Sequence, residues 1–90
     1  MSLRITRIEG NQGTLLRVDG RLEAESLNEL EQACEEAQPP LTLNLEGLLW
    51  IDDRAAGTLR RMMAGGTVVT GASPYVALRL KNKEDIYEPA

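Results

Sequence analysis

The amino-acid sequence predicts a small α/β domain, with a mixed β-sheet, covering helices and the element order β-β-α-β-α-β-α. Two N-terminal segments of alternating apolar residues flank a turn, and two later segments carry apolar residues at helical spacing. A short segment rich in leucine or valine follows each of those two helices. Strands that alternate with helices indicate parallel pairing with right-handed crossovers, and an N-terminal hairpin makes the sheet mixed. The 90 residues have room for one core.

The N-terminal quarter of the chain predicts an antiparallel hairpin. Apolar and polar residues alternate over residues 3–8, which is typical of a half-buried strand. Asn11-Gln12-Gly13 has the composition of a turn. Residues 14–19 form the second predicted strand, and Gly20 closes it.

The segment Glu23–Gln38 is predicted to be the first helix. Ser26 and Glu29 have the spacing of a capping box, and Pro39-Pro40 stops the helix. The residues that would share its apolar face are Leu27, Leu30, Ala33, Cys34 and Ala37. Burial as a small hydrophobic side chain is therefore the expected role of the cysteine.

The segment Leu41–Ile51 is predicted to be the central strand. Asp52 or Asp53 then caps a second helix that runs to about Ala64, where Gly65-Gly66 ends it. A helix start has unpaired N–H groups and the positive end of the helix dipole, so it favours negative charge. Two adjacent aspartates at this position predict a helix cap and, beside it, a surface acid for another protein to recognise.

The last part of the chain predicts one more strand and one more helix. Thr67–Thr70 is a short β-branched segment, and Ser73 followed by proline is typical of a helix start. The third helix is predicted over Tyr75–Leu80. Residues 81–90 have the composition of a polar tail, so the domain is expected to occupy residues 1–80.

Composition argues against several kinds of site. Ten basic and fourteen acidic residues give a net charge of −4, which disfavours a nucleic-acid interface. Histidine is absent and there is one cysteine, so we expect no metal and no cofactor. No segment approaches the roughly 20 apolar residues of a spanning helix, so we expect no direct membrane insertion and a cytoplasmic location.

Three segments, taken in order, resemble the STAS domain of bacterial anti-sigma-factor antagonists. They are GRLEAESLNELEQ, LTLNLEGLLWIDDRAAGTL and TVVTGASPYVALRL, and the resemblance covers roughly residues 3–80. In that family a strand ends in an Asp-Ser or Asp-Thr pair at a helix start. Asp52 matches the family's aspartate, Gly57 matches a glycine of the first helical turns, and residues 71–74 match the turn before the third helix.

The resemblance implies a regulatory role through protein–protein contact. Family members bind a partner, often a kinase-type anti-sigma factor, and phosphorylation of the serine switches binding off. The resemblance assigns no catalysis to the domain itself. Here Asp53 occupies the phosphoacceptor position, and the next residue is Arg54 rather than a hydroxyl residue. An aspartate carries about one negative charge against roughly −1.5 to −2 for phosphoserine, so the switch is either lost or fixed in one state.

The family usually has another strand and a long final helix, which residues 81–90 are too short and too polar to supply. A shortened sheet leaves an open edge or an uncovered face. A partner or a second copy of the chain is expected to cover it, so a homodimer is one predicted arrangement.

The predicted partner-binding residues surround the Asp-Asp pair. They are Trp50, Asp52, Asp53, Arg54, Gly57 and Thr58. Core packing is the first interpretation of Trp50. If Leu49 and Ile51 point inward, however, Trp50 lies partly outward as an interface anchor. For Asp53, capping and a recognition role are compatible interpretations.

Two further functions stay open at the level of sequence. The first is a STAS-type structural subunit of a lipid-transport ATPase complex, in which Asp53 is only structural. The second is a small-ligand or nucleotide-binding module, although the glycine pairs lack phosphate-loop spacing. An enzyme is not expected, because the sequence has neither histidine nor a nucleophile–base pattern.

Overall fold

The structure of the chain, a computed structural model, describes residues 3–81 as five strands and three α-helices. In chain order these are β1 (Leu3–Gly10), β2 (Gly13–Leu22), α1 (Leu27–Glu36), β3 (Leu41–Asn44), β4 (Leu48–Ile51), α2 (Asp53–Ala64), β5 (Val68–Thr70) and α3 (Pro74–Leu80). A 3₁₀ turn at Ala24–Ser26 leads into α1. Over this described range, no helix is long and apolar enough to cross a membrane. Apart from Lys81, the predicted polar tail lies outside the described residues.

The strands form one mixed sheet, which confirms the predicted α/β fold class. β1 and β2 are an antiparallel hairpin, whereas β3 and β4 both pair in parallel with β2, and β5 pairs in parallel with β3. The predicted central strand Leu41–Ile51 is divided, so the observed order is β-β-α-β-β-α-β-α. β3 lies beside Thr14–Arg17 and β4 beside Gly20–Leu22, so the two short strands lie end to end along β2.

A turn at Leu45–Gly47 separates β3 from β4. The N–H of Gly20 in β2 donates a hydrogen bond of 2.9 Å to the carbonyl of Gly47. A Cβ at position 47 would overlap the Asp19 carboxylate, so the end of that side chain would have to move aside. The N–H of Leu48 donates a hydrogen bond of 3.0 Å to the carbonyl of Leu45 and closes the turn, which the prediction of one continuous strand missed.

All three helices pack on one face of the sheet and enclose a single aliphatic core. β2 contributes three fully buried apolar residues from one face of the strand, Leu16, Val18 and Leu22. The buried apolar residues from the helices are Leu27, Leu30, Ala55, Ala56, Leu59, Val76 and Leu80. Because side chains alternate along a strand, the intervening residues of β2 project from the opposite face of the sheet.

Two of the three predicted helix caps are observed. The Asp52 carboxylate accepts a hydrogen bond of 2.8 Å from the N–H of Ala55, and the Ser73 hydroxyl accepts one of 3.2 Å from the N–H of Val76. The capping box predicted for α1 is wrong, because the side chain of Ser26 makes no capping hydrogen bond. Ser26 has helical backbone angles at the end of the 3₁₀ turn, whereas a capping residue is typically extended.

Replacing Gly13 by alanine is expected to lower the free energy of unfolding by about 2 kcal/mol or more. Gly13 has a φ of 116°, and a Cβ there would overlap the backbone of Pro40. Gly10, in the same hairpin, is the matched control, because a Cβ at that position meets nothing within 4 Å. Chemical denaturation followed by circular dichroism measures both variants. Equal losses of stability in G13A and G10A would contradict this explanation.

Candidate functional site

The carboxylate of Asp52 joins the starts of two helical segments. Its Oδ1 accepts a hydrogen bond of 2.8 Å from the N–H of Ala55 in α2. Its Oδ2 accepts one of 3.0 Å from the N–H of Ala24, where the 3₁₀ turn before α1 begins. The N–H of Asp52 donates to the carbonyl of Leu22 at 3.3 Å, directly after the paired ends of β2 and β4. Asp52 therefore fixes two neighbouring strand ends and the helical segments that follow them.

These hydrogen bonds also determine the charge of Asp52. Burial alone would raise the pKa of its carboxyl. The backbone N–H groups of Ala55 and Ala24, together with Arg54, outweigh burial and hold the pKa below its ordinary value. The side chain is therefore anionic at neutral pH, and both of its oxygens accept hydrogen bonds within the domain. The interpretation of Asp52 as a helix cap is confirmed.

Asp53 has the opposite environment. It is the first residue of α2, and its side chain is 90% exposed. Its Oδ1 lies 3.2 Å from Nη2 of Arg79 in α3, an exposed ion pair of a kind that contributes about 0–1 kcal/mol. Arg54, the next residue, is also exposed. Two opposite charges thus project from the start of α2, where Asp52 alone supplies the side-chain cap.

Trp50 is 38% exposed and lies outside the core, so the first interpretation of this residue, core packing, is wrong. Leu49, expected inward if the strand alternated, is 74% exposed. The reason is an irregularity in the pairing of β4 with β2, where Gly20 pairs with Leu48 but Arg21 pairs with Trp50. An extra residue of this kind bends the strand and breaks the alternation of its side chains.

The indole of Trp50 lies within a stack of aromatic and cationic groups. Its ring and the ring of Tyr75 are nearly parallel, with centroids 6.1 Å apart. The guanidinium carbon of Arg21 lies 5.1 Å from the centroid of the indole ring. Contacts of both kinds are attractive, and Trp50 and Tyr75 each remain 38% exposed. Partly exposed aromatic side chains flanked by arginine are typical of protein interfaces.

Two residues of α3 connect that helix to the turn between β4 and α2. The Tyr75 hydroxyl donates a hydrogen bond of 3.1 Å to the carbonyl of Ile51, and Nη2 of Arg79 donates one of 3.0 Å to the same carbonyl. Neither residue is among those that the sequence predicts for the site. Tyr75 and Arg79 are four residues apart on a helix that begins after Ser73, so both lie on one face of that helix. This spacing is the sequence signal that could have placed them together.

The other two predicted contact residues lie further along α2. Thr58 is 5% exposed, which corrects its predicted place in an exposed contact surface. It is buried because it faces α1 and contributes to the walls of the groove between the two helices. A Cβ at Gly57 would touch only the guanidinium of Arg60, at 3.9 Å, so packing does not require a glycine there.

The groove between α1 and α2 begins beside Arg54. It consists of two depressions of about 420 and 470 Å³ that share the residues Glu31, Thr58 and Arg61. Cys34 lies in the second depression, where burial first, and the charge of Glu31 second, raise the pKa of its thiol to about 11. Across residues 3–81, no three Asp, Glu or Cys side chains come together as a metal site.

Comparison with known protein families finds no family that matches this chain. Comparison with curated proteins likewise finds no similar sequence. The resemblance to the STAS domain therefore stays a prediction from the three sequence segments. The structure adds an exposed aspartate next to a capping aspartate, with an aromatic stack beside them.

Replacing Asp52 by alanine is expected to lower the free energy of unfolding by about 2 kcal/mol, because two backbone N–H groups lose their acceptor. Asp52→Asn should cost about half as much, since one amide oxygen can cap only one of them. Asp53→Ala is the matched control and should cost less than about 1 kcal/mol. Denaturant titrations of the three variants check these values.

The stability gained from Asp52 is expected to depend on acid pH. Its pKa is lowered on folding, so the contribution is complete above the unfolded pKa of about 3.9 and is lost as pH falls through the lower folded value. The stability difference between the wild-type protein and Asp52→Asn should be constant from about pH 5 to pH 8 and shrink below about pH 4. A difference that stays constant in acid would count against the capping geometry.

The thiol of Cys34 is expected to react slowly with alkylating and disulfide reagents at neutral pH. With a pKa of about 11, less of it is thiolate than in an exposed cysteine, whose pKa is about 8.5. The reaction rate should keep rising up to about pH 11 in the folded protein. Denatured protein at the same pH is the control. Equal rates for the two forms at pH 8 would show that α1 and α2 do not shield the sulfur.

Proposed function

We propose that this domain is a regulatory protein–protein interaction module, used in the manner of the anti-sigma-factor antagonists that its sequence resembles, without catalysis of its own. The observation that carries the proposal is the contrast between the two adjacent aspartates. Asp52 uses both carboxylate oxygens within the domain, whereas the side chain of Asp53 is 90% exposed at the first position of α2. Asp53 is thus free to contact a partner without loss of the cap.

The proposed contact surface consists of Trp50, Asp53, Arg54 and Tyr75, and we call it the α2-start surface. The exposed charges of Asp53 and Arg54 supply orientation and selectivity, which is the usual contribution of rim charges to an interface. The half-exposed rings of Trp50 and Tyr75 supply apolar area. Arg79 connects the charged and the aromatic residues of this surface, because its guanidinium contacts Asp53 and lies 6.0 Å from the centre of the Tyr75 ring.

In this proposal the charge at the phosphoacceptor position is permanent. The carboxylate of Asp53 cannot accept phosphate from a serine/threonine-type kinase, and the neighbouring Arg54 offers no hydroxyl group. Its single negative charge is smaller than that of phosphoserine, at roughly −1.5 to −2. We propose a cytoplasmic anti-sigma factor or kinase-like regulator as the partner, with binding that phosphorylation does not switch.

The proposal is tested by affinity capture from lysate of the source cells, with mass spectrometry of the retained proteins. Wild-type protein should retain a kinase-like regulator, and Asp53→Lys should reduce its retention about tenfold or more, since the change reverses an interfacial charge. Asp53→Ser should restore a hydroxyl group and gain phosphate when the captured kinase is supplied with ATP.

Glu9→Ser is the matched control for these variants. Glu9 is also an exposed acid in an ion pair, 3.5 Å from Arg7, but it lies at the hairpin end of the sheet. Its replacement should leave partner retention unchanged. If Asp53→Lys retains the same proteins as wild type, the α2-start surface is not the binding surface. If a permease, an ATPase or only a second copy of the chain is retained regardless of Asp53, a structural subunit replaces the regulatory proposal.

A further inference from the structure

The face of the sheet opposite the helices carries a row of largely apolar side chains near the β1–β2 turn. The strand registers align four residues across it, Ile8, Leu15, Thr42 and Val68. Ile8 and Val68, at the two ends of this apolar row, are 49% and 52% exposed. Three of the four residues also line a shallow depression of about 490 Å³ beside the turn. Exposed apolar area of this kind is typical of a docking surface.

The strands of the same face are basic beyond the apolar row. The side chains of Arg4, Arg17 and Arg21 project from this face, because each occupies an alternate position of its strand. All three arginines are exposed. Within the described strands, Asp19 is the only acidic residue on this face, and its Oδ1 lies 3.6 Å from Nη2 of Arg17. Arg21 also pairs with Glu23, 2.9 Å away just beyond the end of β2, so this face carries three positive and two negative charges in a chain whose net charge is −4.

The opposite side of the domain is acidic. α1 covers the other face of the sheet, and its exposed acids are Glu29, Glu31, Glu35 and Glu36. The charge asymmetry indicates what the open face can bind. Two copies packed face to face through it would bring arginines against arginines, and like charges across an interface are unfavourable. An acidic partner is favoured instead.

The apolar row and the width of the face select among acidic partners. Single-stranded nucleic acid prefers several stacked aromatic rings, whereas this face offers the one indole of Trp50 at its far end. Four strand positions at about 4.8 Å spacing make a face roughly 15–19 Å wide. A single α-helix, about 10–12 Å in diameter, fits on that width. A partner on this face needs apolar side chains for the apolar row and carboxylates for the arginines. One acidic amphipathic helix supplies both.

We propose that this open sheet face is a docking surface for an acidic amphipathic helix of a protein partner. Apolar side chains of the helix pack on the row from Ile8 to Val68, and its carboxylates pair with Arg4 and Arg17. The surface is distinct from the α2-start surface, and the two meet at Arg21 and Trp50, which contact each other. Loss of the Asp53-dependent contact therefore leaves this second surface intact.

The test is a nuclear magnetic resonance titration of the full ¹⁵N-labelled chain with designed peptides of about 18 residues, long enough to form a helix. One peptide carries leucine on one helical face and glutamate on the other. A second has lysine in place of glutamate, and a third is a scrambled form of the first. The acidic amphipathic peptide should shift the amides of β1, β2, β3 and β5 saturably. The lysine and scrambled peptides should not.

Two arginine variants sharpen the titration. Arg4→Gln and Arg17→Gln together should weaken binding of the acidic peptide about tenfold. Arg61→Gln, an exposed arginine of the α1–α2 groove, is the matched control and should leave binding unchanged. Circular dichroism verifies that all variants are folded.

Several results would overturn the proposal. The first is that no amide resonance shifts at about 1 mM acidic peptide, a concentration at which even weak specific binding is visible. The second is that only amides of α1 and α2 shift. An equal response to the lysine peptide would remove the charge argument. Stronger shifts with an oligo(dT) strand than with the peptide would assign the face to nucleic acid. The acidic segment 82–90 includes Glu84, Asp85 and Ile86. If the peptide binds only after this segment is removed, the segment itself, and not a partner protein, is the ligand of the open face.

Discussion

The double cap made by the Asp52 carboxylate is the interaction on which the proposed contact surface of this domain depends. It accepts hydrogen bonds of 2.8 and 3.0 Å from Ala55 and Ala24, so one side chain caps α2 and the 3₁₀ turn before α1. Its own N–H donates to the carbonyl of Leu22 and extends the contact between β2 and β4. Backbone donors at helix starts have no partner within the helix, and a carboxylate with two acceptor oxygens satisfies both of these.

One consequence of this arrangement is that the side-chain cap does not need Asp53, which forms an exposed ion pair with Arg79 and adds negative charge at the start of α2. Its position is nonetheless well defined, because Arg79 contacts it and also donates to the carbonyl of Ile51. Tyr75 donates to that same carbonyl and stacks on Trp50, so α3 holds the aromatic rings beside the exposed acid. A fixed charge next to partly exposed rings is a combination found at protein interfaces and supports the proposed contact surface.

Local sequence patterns predicted most of the fold, because single residues determine where the hairpin turn and the starts of α2 and α3 lie. The glycine of the hairpin, the Asp52 cap and the Ser73 start each acted as expected. The failures depend on contacts between distant segments. The turn that divides the central strand forms hydrogen bonds with Gly20 and Thr70, and Asp52 caps the 3₁₀ turn in which Ser26 takes helical angles. The exposure of Trp50 and Leu49 follows from a pairing irregularity that periodicity does not reveal.

The most direct test of the double cap is to follow the amide resonances of Ala24 and Ala55 as acid is added. Both amides donate to one carboxylate, so both should shift with a single apparent pKa that lies below the ordinary value of about 3.9. In Asp52→Asn neither amide should show that transition. An Ala24 amide that does not titrate, or that titrates apart from Ala55, would contradict the claim that one aspartate holds both helix starts and leaves Asp53 free.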